Sequence, residues 1–184
     1  TSLTTSSTIS KEDLRRDQAK QLTDPTETAL AVVAAKGGYY AFERESLSPE
    51  VLELPFDQEL RYSASIHRQT GGYKVIAKGS IEQIIALSSY VFGGRRRRLA
   101  ADSREALTEQ AESLAEQGYR VVALGYTDYP SSVSVGPELV RGLTFVGLLA
   151  MTDPIRPEGR SVIEQALASG VRTIMITGDH LLTA

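Results

Sequence analysis

Three glycine pairs, Gly37-Gly38, Gly71-Gly72 and Gly93-Gly94, cut the N-terminal half of the chain into short segments. Glycine reaches positive φ without steric cost, so each pair ends an element or turns the chain back on itself. Apolar runs between such breaks are long enough only for small strands and short helices. The longest apolar stretch in the 184 residues is about Phe145–Met151, far below the ~20 residues that a membrane-spanning helix needs. A chain of this length buries roughly 70% of its unfolded surface without any covalent staple.

The first strong signal is Asp24-Pro25-Thr26-Glu27. Asp24 suits an N-cap, Pro25 the first helical position and Glu27 the third, from which a carboxylate reaches back to the cap. Ala29, Leu30, Val32 and Val33 follow, and Gly37-Gly38 stops the helix. Val51–Pro55, Leu60–Ile66 and Tyr73–Lys78 are strand-like, with Gly71-Gly72 as a hairpin turn between the last two. Ser80 caps a short helix carrying Ile81, Ile84, Ile85 and Leu87. Tyr90–Leu99 is a second hairpin with Gly93-Gly94 at its tip. Asp102-Ser103-Arg104-Glu105 repeats the capping-box pattern before a stripe of Leu107, Ala111, Leu114 and Ala115 that ends at Gly118. Tyr119–Tyr126 and Leu143–Ala150 are apolar strands joined by a loop rich in Pro, Ser and Gly.

The pattern changes after residue 150. Asp153-Pro154-Ile155-Arg156-Pro157 is stiff and turn-prone, and Pro157 opens a helix lined by Val162, Ile163, Ala166 and Leu167. Arg172–Ile176 is a continuous apolar run, the mark of a strand buried on both faces of a parallel sheet. Thr177-Gly178-Asp179 then forms a polar loop at the strand's C-terminal end, the edge where open α/β sheets bind ligands. The expectation is an α+β domain with a mostly antiparallel sheet over 1–152, a hinge over 153–157, and over 158–184 one helix–strand unit of a different, parallel sheet. The chain stops at Ala184 where another helix is due, so a piece of a longer protein is expected.

Composition removes several classes of function. No cysteine is present, which excludes disulfides, thiolate metal sites and cysteine nucleophiles. His67 and His180 are the only histidines; His67 has no carboxylate or cysteine at metal-ligand spacing and His180 follows the Thr-Gly-Asp loop at the start of a helix, so no metal site is assigned. Net charge is −3, which gives no global pull towards nucleic acid or anionic lipid. Arg95–Arg98 is the one conspicuous basic run, and with no interleaved aromatic platform it is taken as a solvated hairpin tip. The N-terminus has neither a basic nor an apolar leader region, so no signal peptide is expected.

Six separated motifs resemble those of the P-type cation-transporting ATPases, in that family's order. They are Asp24-Pro25-Thr26-Glu27-Thr28-Ala29-Leu30, Phe56-Asp57-Gln58-Glu59-Leu60-Arg61, Lys78-Gly79-Ser80, Gly118-Tyr119-Arg120-Val121-Val122-Ala123-Leu124, Asp153-Pro154-Ile155-Arg156 and Met175-Ile176-Thr177-Gly178-Asp179. The resemblance covers nearly all of the chain past its first ~20 residues, a boundary no sharper than such limits usually are. It implies the nucleotide-binding domain, an antiparallel twisted sheet flanked by helices. The start of the second half of a Rossmann-like, haloacid-dehalogenase-type phosphorylation domain would follow.

The resemblance also implies a nucleotide site of Glu27, Phe56, Arg61, Lys78, Gly79, Arg120 and Val122. Phe56, between Pro55 and charged residues, is an odd core aromatic, and an exposed ring stacks on adenine for ~1–3 kcal/mol. Without the resemblance, a strand-end Phe of the core is the ordinary reading. Lys78 offers a point charge to phosphate or to the adenine pocket and Gly79 a close backbone approach, though a solvated strand-end lysine is the ordinary reading. Arg120 offers charge-assisted bonds to phosphate, or is a plain surface arginine. Val122 would line the base pocket. Glu27 completes a capping box and, by resemblance, also faces the adenine amino group. Arg61 replaces a lysine of many members, while Gln58 and Leu60 stand where basic residues often occur, which implies weaker phosphate affinity. Asp153, Pro154 and Arg156 would form the interdomain hinge, and Thr177, Gly178 and Asp179 a loop of the phosphorylation domain.

The family's nucleophilic Asp-Lys-Thr-Gly-Thr and its later Gly-Asp-Gly-x-Asn-Asp magnesium element do not occur in this sequence. The resemblance therefore implies a soluble fragment that binds ATP or ADP without turning ATP over. In the intact pump, at the cytoplasmic face of a membrane, it would work with phosphorylation, actuator and membrane domains and with magnesium. The motifs resemble the calcium, proton and sodium/potassium branches more than heavy-metal pumps, which points to a hard cation, calcium among them. Two alternatives stand beside this reading. One is a free-standing nucleotide-binding regulatory module. The other is a truncated haloacid-dehalogenase-type phosphatase, disfavoured because Asp13, Asp17 and Asp24 lie in helical or capping patterns.

Overall fold

In chain order the elements are helix α1 (Pro25–Lys36), strands β1 (Glu50–Asp57), β2 (Tyr62–Gln69) and β3 (Gly72–Gly79), helix α2 (Ile81–Leu87), strands β4 (Ser88–Phe92) and β5 (Arg96–Arg98), helix α3 (Ala101–Glu116), strand β6 (Arg120–Pro130), a 3-10 turn at Pro137–Leu139, strand β7 (Leu143–Met151) and helix α4 (Gly159–Ala168). The structure is a computed structural model and describes residues 25–39, 48–152, 158–174 and 176. The strands form one seven-stranded sheet in the order β1-β2-β3-β6-β7-β4-β5. Every pairing is antiparallel except that of β4 with β7.

One face of this sheet carries the core. Ala64, Ile66, Val75, Ala77, Ala123 and Phe145 project from β2, β3, β6 and β7 and meet Ile81, Ile84 and Ile85 of α2 and Ala111 of α3. Fully burying one such Ile or Phe contributes about 1.5–3 kcal/mol. The short helix α2 is started by Ser80, whose Oγ accepts from the Gln83 N–H. It is closed by Arg104, whose guanidinium donates to the Ile85 and Ser88 carbonyls at 2.5 and 2.6 Å. The Ile85 carbonyl also accepts from the Ser88 N–H, so Arg104 adds a second donor and a positive charge at the C-terminal end of the helix.

The boundaries depart from the sequence reading at three places. The hairpin turn is Thr70-Gly71, not Gly71-Gly72, because Gly72 already pairs with Gln69 inside the sheet. Helix α3 begins at Ala101 with Ala100 as a cap that makes no side-chain bond, so Asp102 lies in the first turn and is not the capping residue. The expected strand over Arg172–Ile176 is absent among the described residues: residues 171–174 and 176 belong to no strand, and Ile174 and Ile176 are 72% and 93% exposed. A strand needs a neighbour for its backbone groups, and none pairs with this segment among the described residues. Helix α4 forms as expected and ends at Gly170 (φ +76), but it buries no residue. Asp153, Pro154, Arg156, Pro157, Thr177, Gly178 and Asp179 lie outside the described residues.

Gly71 and Gly72 serve different ends. Gly71 has φ +88, and a Cβ there would meet nothing. A Cβ on Gly72 would lie 2.0 Å from the Tyr129 carbonyl oxygen on β6. Gly71→Ala is expected to cost about 1–2 kcal/mol of backbone strain, and Gly72→Ala about 3 kcal/mol because β3 must move off β6. Urea denaturation of the two variants side by side checks the order; a Gly72→Ala protein as stable as the parent would contradict the close approach.

Candidate functional site

The opposite face of the sheet is polar. Side chains alternate along β3, so Val75 and Ala77 enter the core while Lys74, Ile76 and Lys78 point to this second face. Lys78 is 8% exposed. Its ammonium donates to Glu27 Oε1, and the two side chains are only 10% and 17% exposed. Glu27, Leu30 and Ala34 fall on one helical stripe of α1, and Leu30 and Ala34 are buried behind the ion pair. The stripe thus lies against the second face. Lys78 is therefore not the solvated strand-end lysine of the ordinary reading. Glu27 Oε2 is buried and has no hydrogen-bond partner among the described residues.

Arg120 opens β6 and donates through Nη1 to Thr26 Oγ1 at 3.2 Å. Thr26, one residue before Glu27, is a contact that the sequence reading did not single out. Val122 follows two residues on, half-buried on the same face as Arg120 and Leu124. Leu124 pairs directly with Lys78, and Lys78 with Ser63 of β2. The row continues to β1 through a bulge. Leu54 pairs with Ala64 and Asp57 with Tyr62, so Pro55 and Phe56 together stand opposite Ser63. Proline lacks the N–H that a regular ladder needs and belongs in such a bulge. Phe56 is 62% exposed. This settles it as outside the core and places it on the face that carries Lys78. From Phe56 to Leu124 the row spans three interstrand steps of ~4.8 Å, or ~14 Å.

Arg61 and Gly79 sit at the end of this row. Asp57 Oδ1 accepts from the Glu59 and Leu60 N–H groups at 2.7 and 2.8 Å, an Asx turn that delivers Arg61 in the left-handed region at φ 56. The Arg61 guanidinium lies 3.6 Å from the Glu82 carboxylate, both half-exposed. Its carbonyl accepts from the Ser80 N–H, and a Cβ on Gly79 would lie 2.5 Å from that same oxygen. The glycine is thus required by the chain's own turn.

His67 has a complete set of partners. It is 3% exposed, with Nε2 2.8 Å from Ser65 Oγ and Nδ1 3.2 Å from the Ser48 carbonyl. The carbonyl only accepts, so Nδ1 carries the proton. Lys74 lies beside it, bound to Asp128 at 2.5 Å and 4.6 Å from the centre of the Tyr126 ring. Nothing short of the three-dimensional register marks Ser65 and Ser48 as its partners.

The match to known proteins follows this layout. The family model described as P-type ATPase, cytoplasmic domain N, matches residues 1–158. The chain is 30% identical over 173 residues to calcium-transporting ATPase 1 of Bacillus cereus, covering 94% of this chain and 20% of that protein. It is 34% identical over 168 residues to probable cation-transporting ATPase F of Mycobacterium tuberculosis, covering 88% and 18%. It is 34% identical over 170 residues to a calcium-transporting ATPase of Listeria monocytogenes, covering 91% and 19%. The chain therefore spans about a fifth of the length of these relatives.

The Lys78–Glu27 pair sets an energetic test. Removing one partner of a buried pair leaves the other charge stranded and costs about 3–5 kcal/mol. Lys78→Met is expected to lose that much stability in urea denaturation, and Glu27→Leu in the Lys78→Met background to recover at least ~1 kcal/mol of it. Strictly additive losses would mean that the two side chains are not coupled.

Proposed function

We propose that this chain, which belongs to the P-type ATPase cytoplasmic N-domain family, holds ATP for a cation-transporting pump. The observation that carries the reading is Glu27 Oε2, which has no donor among the described residues. A buried carboxylate oxygen without a donor costs about 1–3 kcal/mol or more, and the exocyclic amino group of adenine is a donor of the right kind. Phe56, exposed in the bulge, supplies the ring on which the base stacks, and Val122 an apolar wall. Arg120, held at its Nη1 by Thr26, and Arg61, exposed beside the Asx turn, supply cations for the phosphates. Lys78 neutralises Glu27 in the absence of ligand and stands in the same row as Phe56.

Among the described residues no three His, Asp or Glu side chains are grouped as a metal site. In the intact pump magnesium would come with ATP, held by the nucleotide's own phosphates and one or two carboxylates. Affinity of this chain then rests on stacking and on a few cations, so ATP and ADP bind weakly and without a strict need for the metal.

In the whole pump we take ATP held here to be carried to the phosphorylated aspartate by closure about residues 153–157. Residues 158–184 would then open the second half of the phosphorylation domain. Support for that boundary is the family match ending at residue 158 and an α4 that buries nothing. By itself the chain contains no Asp-Lys-Thr-Gly-Thr nucleophile and is expected not to hydrolyse ATP. The hard-cation reading draws support from relatives whose names specify calcium.

Titration of the 184-residue chain with ATP, ADP and AMP, followed by amide chemical shifts, tests the proposal. A saturable response at millimolar ATP is expected, centred on Glu27, Phe56, Lys78 and Arg120, with no phosphate released. Phe56→Ala is expected to weaken binding by about tenfold, from the ~1–3 kcal/mol of base stacking, with an unchanged melting temperature. No saturable response, or shifts centred elsewhere, would overturn it.

A further inference from the structure

The proposed nucleotide face does not use the other end of the sheet, where β5 is the last strand and, among the described residues, has β4 as its only neighbour. Its residues and the turn before it are the four consecutive arginines Arg95–Arg98, all exposed. None of the four pairs with a carboxylate among the described residues. The chain is acidic even with these cations counted, at net −3. Helix α3, which begins three residues after Arg98, carries exposed Asp102, Glu105, Glu109, Glu112 and Glu116 on one stripe, yet leaves the hairpin's charge uncompensated.

The backbone of this edge is open in a defined way. The Leu99 N–H donates to the Ser89 carbonyl and the Gly93 N–H to the Arg95 carbonyl. Tyr90 pairs with Arg98, Val91 with Arg97 and Phe92 with Arg96. Antiparallel pairs alternate between bonded and non-bonded. Arg95, Arg97 and Leu99 therefore face β4, and the N–H and C=O groups of Arg96 and Arg98 face outwards. The side chains of Arg96 and Arg98 share one face of the hairpin with Tyr90 and Phe92. The Arg96 guanidinium is stacked 3.6 Å from the Tyr90 ring centre, which limits its freedom before any partner arrives.

We propose that the outer edge of β5 is a docking site for an extended acidic polypeptide segment bearing carboxylates at alternate positions. Such a segment adds as an eighth strand, exchanging main-chain hydrogen bonds with Arg96 and Arg98. Its carboxylates at i and i+2 lie on the face of those two guanidinium groups, one ~4.8 Å strand spacing away, where a two-pronged bond to arginine forms. The charge that guards this edge against neutral strands is the same charge that selects an acidic one. A strand-shaped ligand meets the hairpin alone. A broad anionic surface such as a bilayer is opposed by the acidity of the rest of the chain.

The test is fluorescence anisotropy with a labelled peptide of alternating Glu and Thr, run against the full chain at low salt. Controls are a peptide of equal composition with all Glu in one block, the alternating peptide N-methylated in either phase, and phosphatidylserine vesicles. The alternating peptide is expected to bind about tenfold tighter than the block peptide, and N-methylation in one phase only to abolish binding. Arg96→Ser with Arg98→Ser is expected to weaken binding about tenfold and Arg95→Ser less than about threefold, with melting temperatures unchanged. Equal binding of the alternating and block peptides, or indifference to N-methylation in both phases, would overturn the proposal. So would tighter binding to the vesicles than to the peptide.

Discussion

A lysine ammonium from β3 and a glutamate carboxylate from α1 meet on the polar face of the sheet, where both are largely shielded from water. The arrangement of that face depends on this pair. Two charges taken out of water separately would each cost several kcal/mol, and only together do they become tolerable. The pair therefore fixes α1 by its first turn. With the turn fixed, Leu30 and Ala34 are buried, Thr26 comes within reach of Arg120, and Glu27 Oε2 is left with no donor among the described residues. An orphaned acceptor on a carboxylate already paired with the Lys78 ammonium is poorly explained by stability alone.

The sheet divides the work between its faces. Its apolar face is filled by Ile84, Phe145, Val75 and their neighbours, which supply the stability that the polar face spends on a buried ion pair. Register does the positioning. The β1 bulge shifts Phe56 to the face of Lys78, and pairing across β2, β3 and β6 lines up Ser63, Lys78 and Leu124. A slip of one residue would turn Lys78 into the core and Ala77 onto the site.

Much of the fold was legible because local chemistry specifies it. Pro25 and Glu27 mark the start of α1, Ser80 caps α2, and Gly93-Gly94 turns the β4–β5 hairpin. What was not legible depends on partners distant in sequence. Asp102 looks like a cap, yet the helix already starts at Ala101 and Asp102 lies in its first turn. Gly72 looks like a turn residue until the Tyr129 carbonyl is seen against it. Lys78 reads as a solvated strand end because its partner lies 51 residues away. The strand expected over Arg172–Ile176 has the right residues but, among the described residues, no neighbouring strand to receive it. The proposed site residues are marked only by resemblance to separated family motifs; spacing alone yields no more than an exposed Phe and two ordinary cations.

We propose that Glu27 Oε2 accepts from the amino group of adenine, and the choice of nucleotide tests this directly. Inosine triphosphate keeps the ribose and the phosphates but carries a carbonyl where adenine has its amino group, so it presents an acceptor to an acceptor. Inosine also carries a proton on N1, so parallel titrations of ATP and inosine triphosphate compare the whole donor–acceptor pattern of that edge of the base. A hydrogen bond to a charged group contributes about 1.5–3 kcal/mol, so ATP should bind about tenfold or more tightly. The same preference should shrink in Glu27→Gln, whose amide can rotate to offer either a donor or an acceptor. Equal affinities for the two nucleotides in the parent protein would contradict the assignment of Glu27.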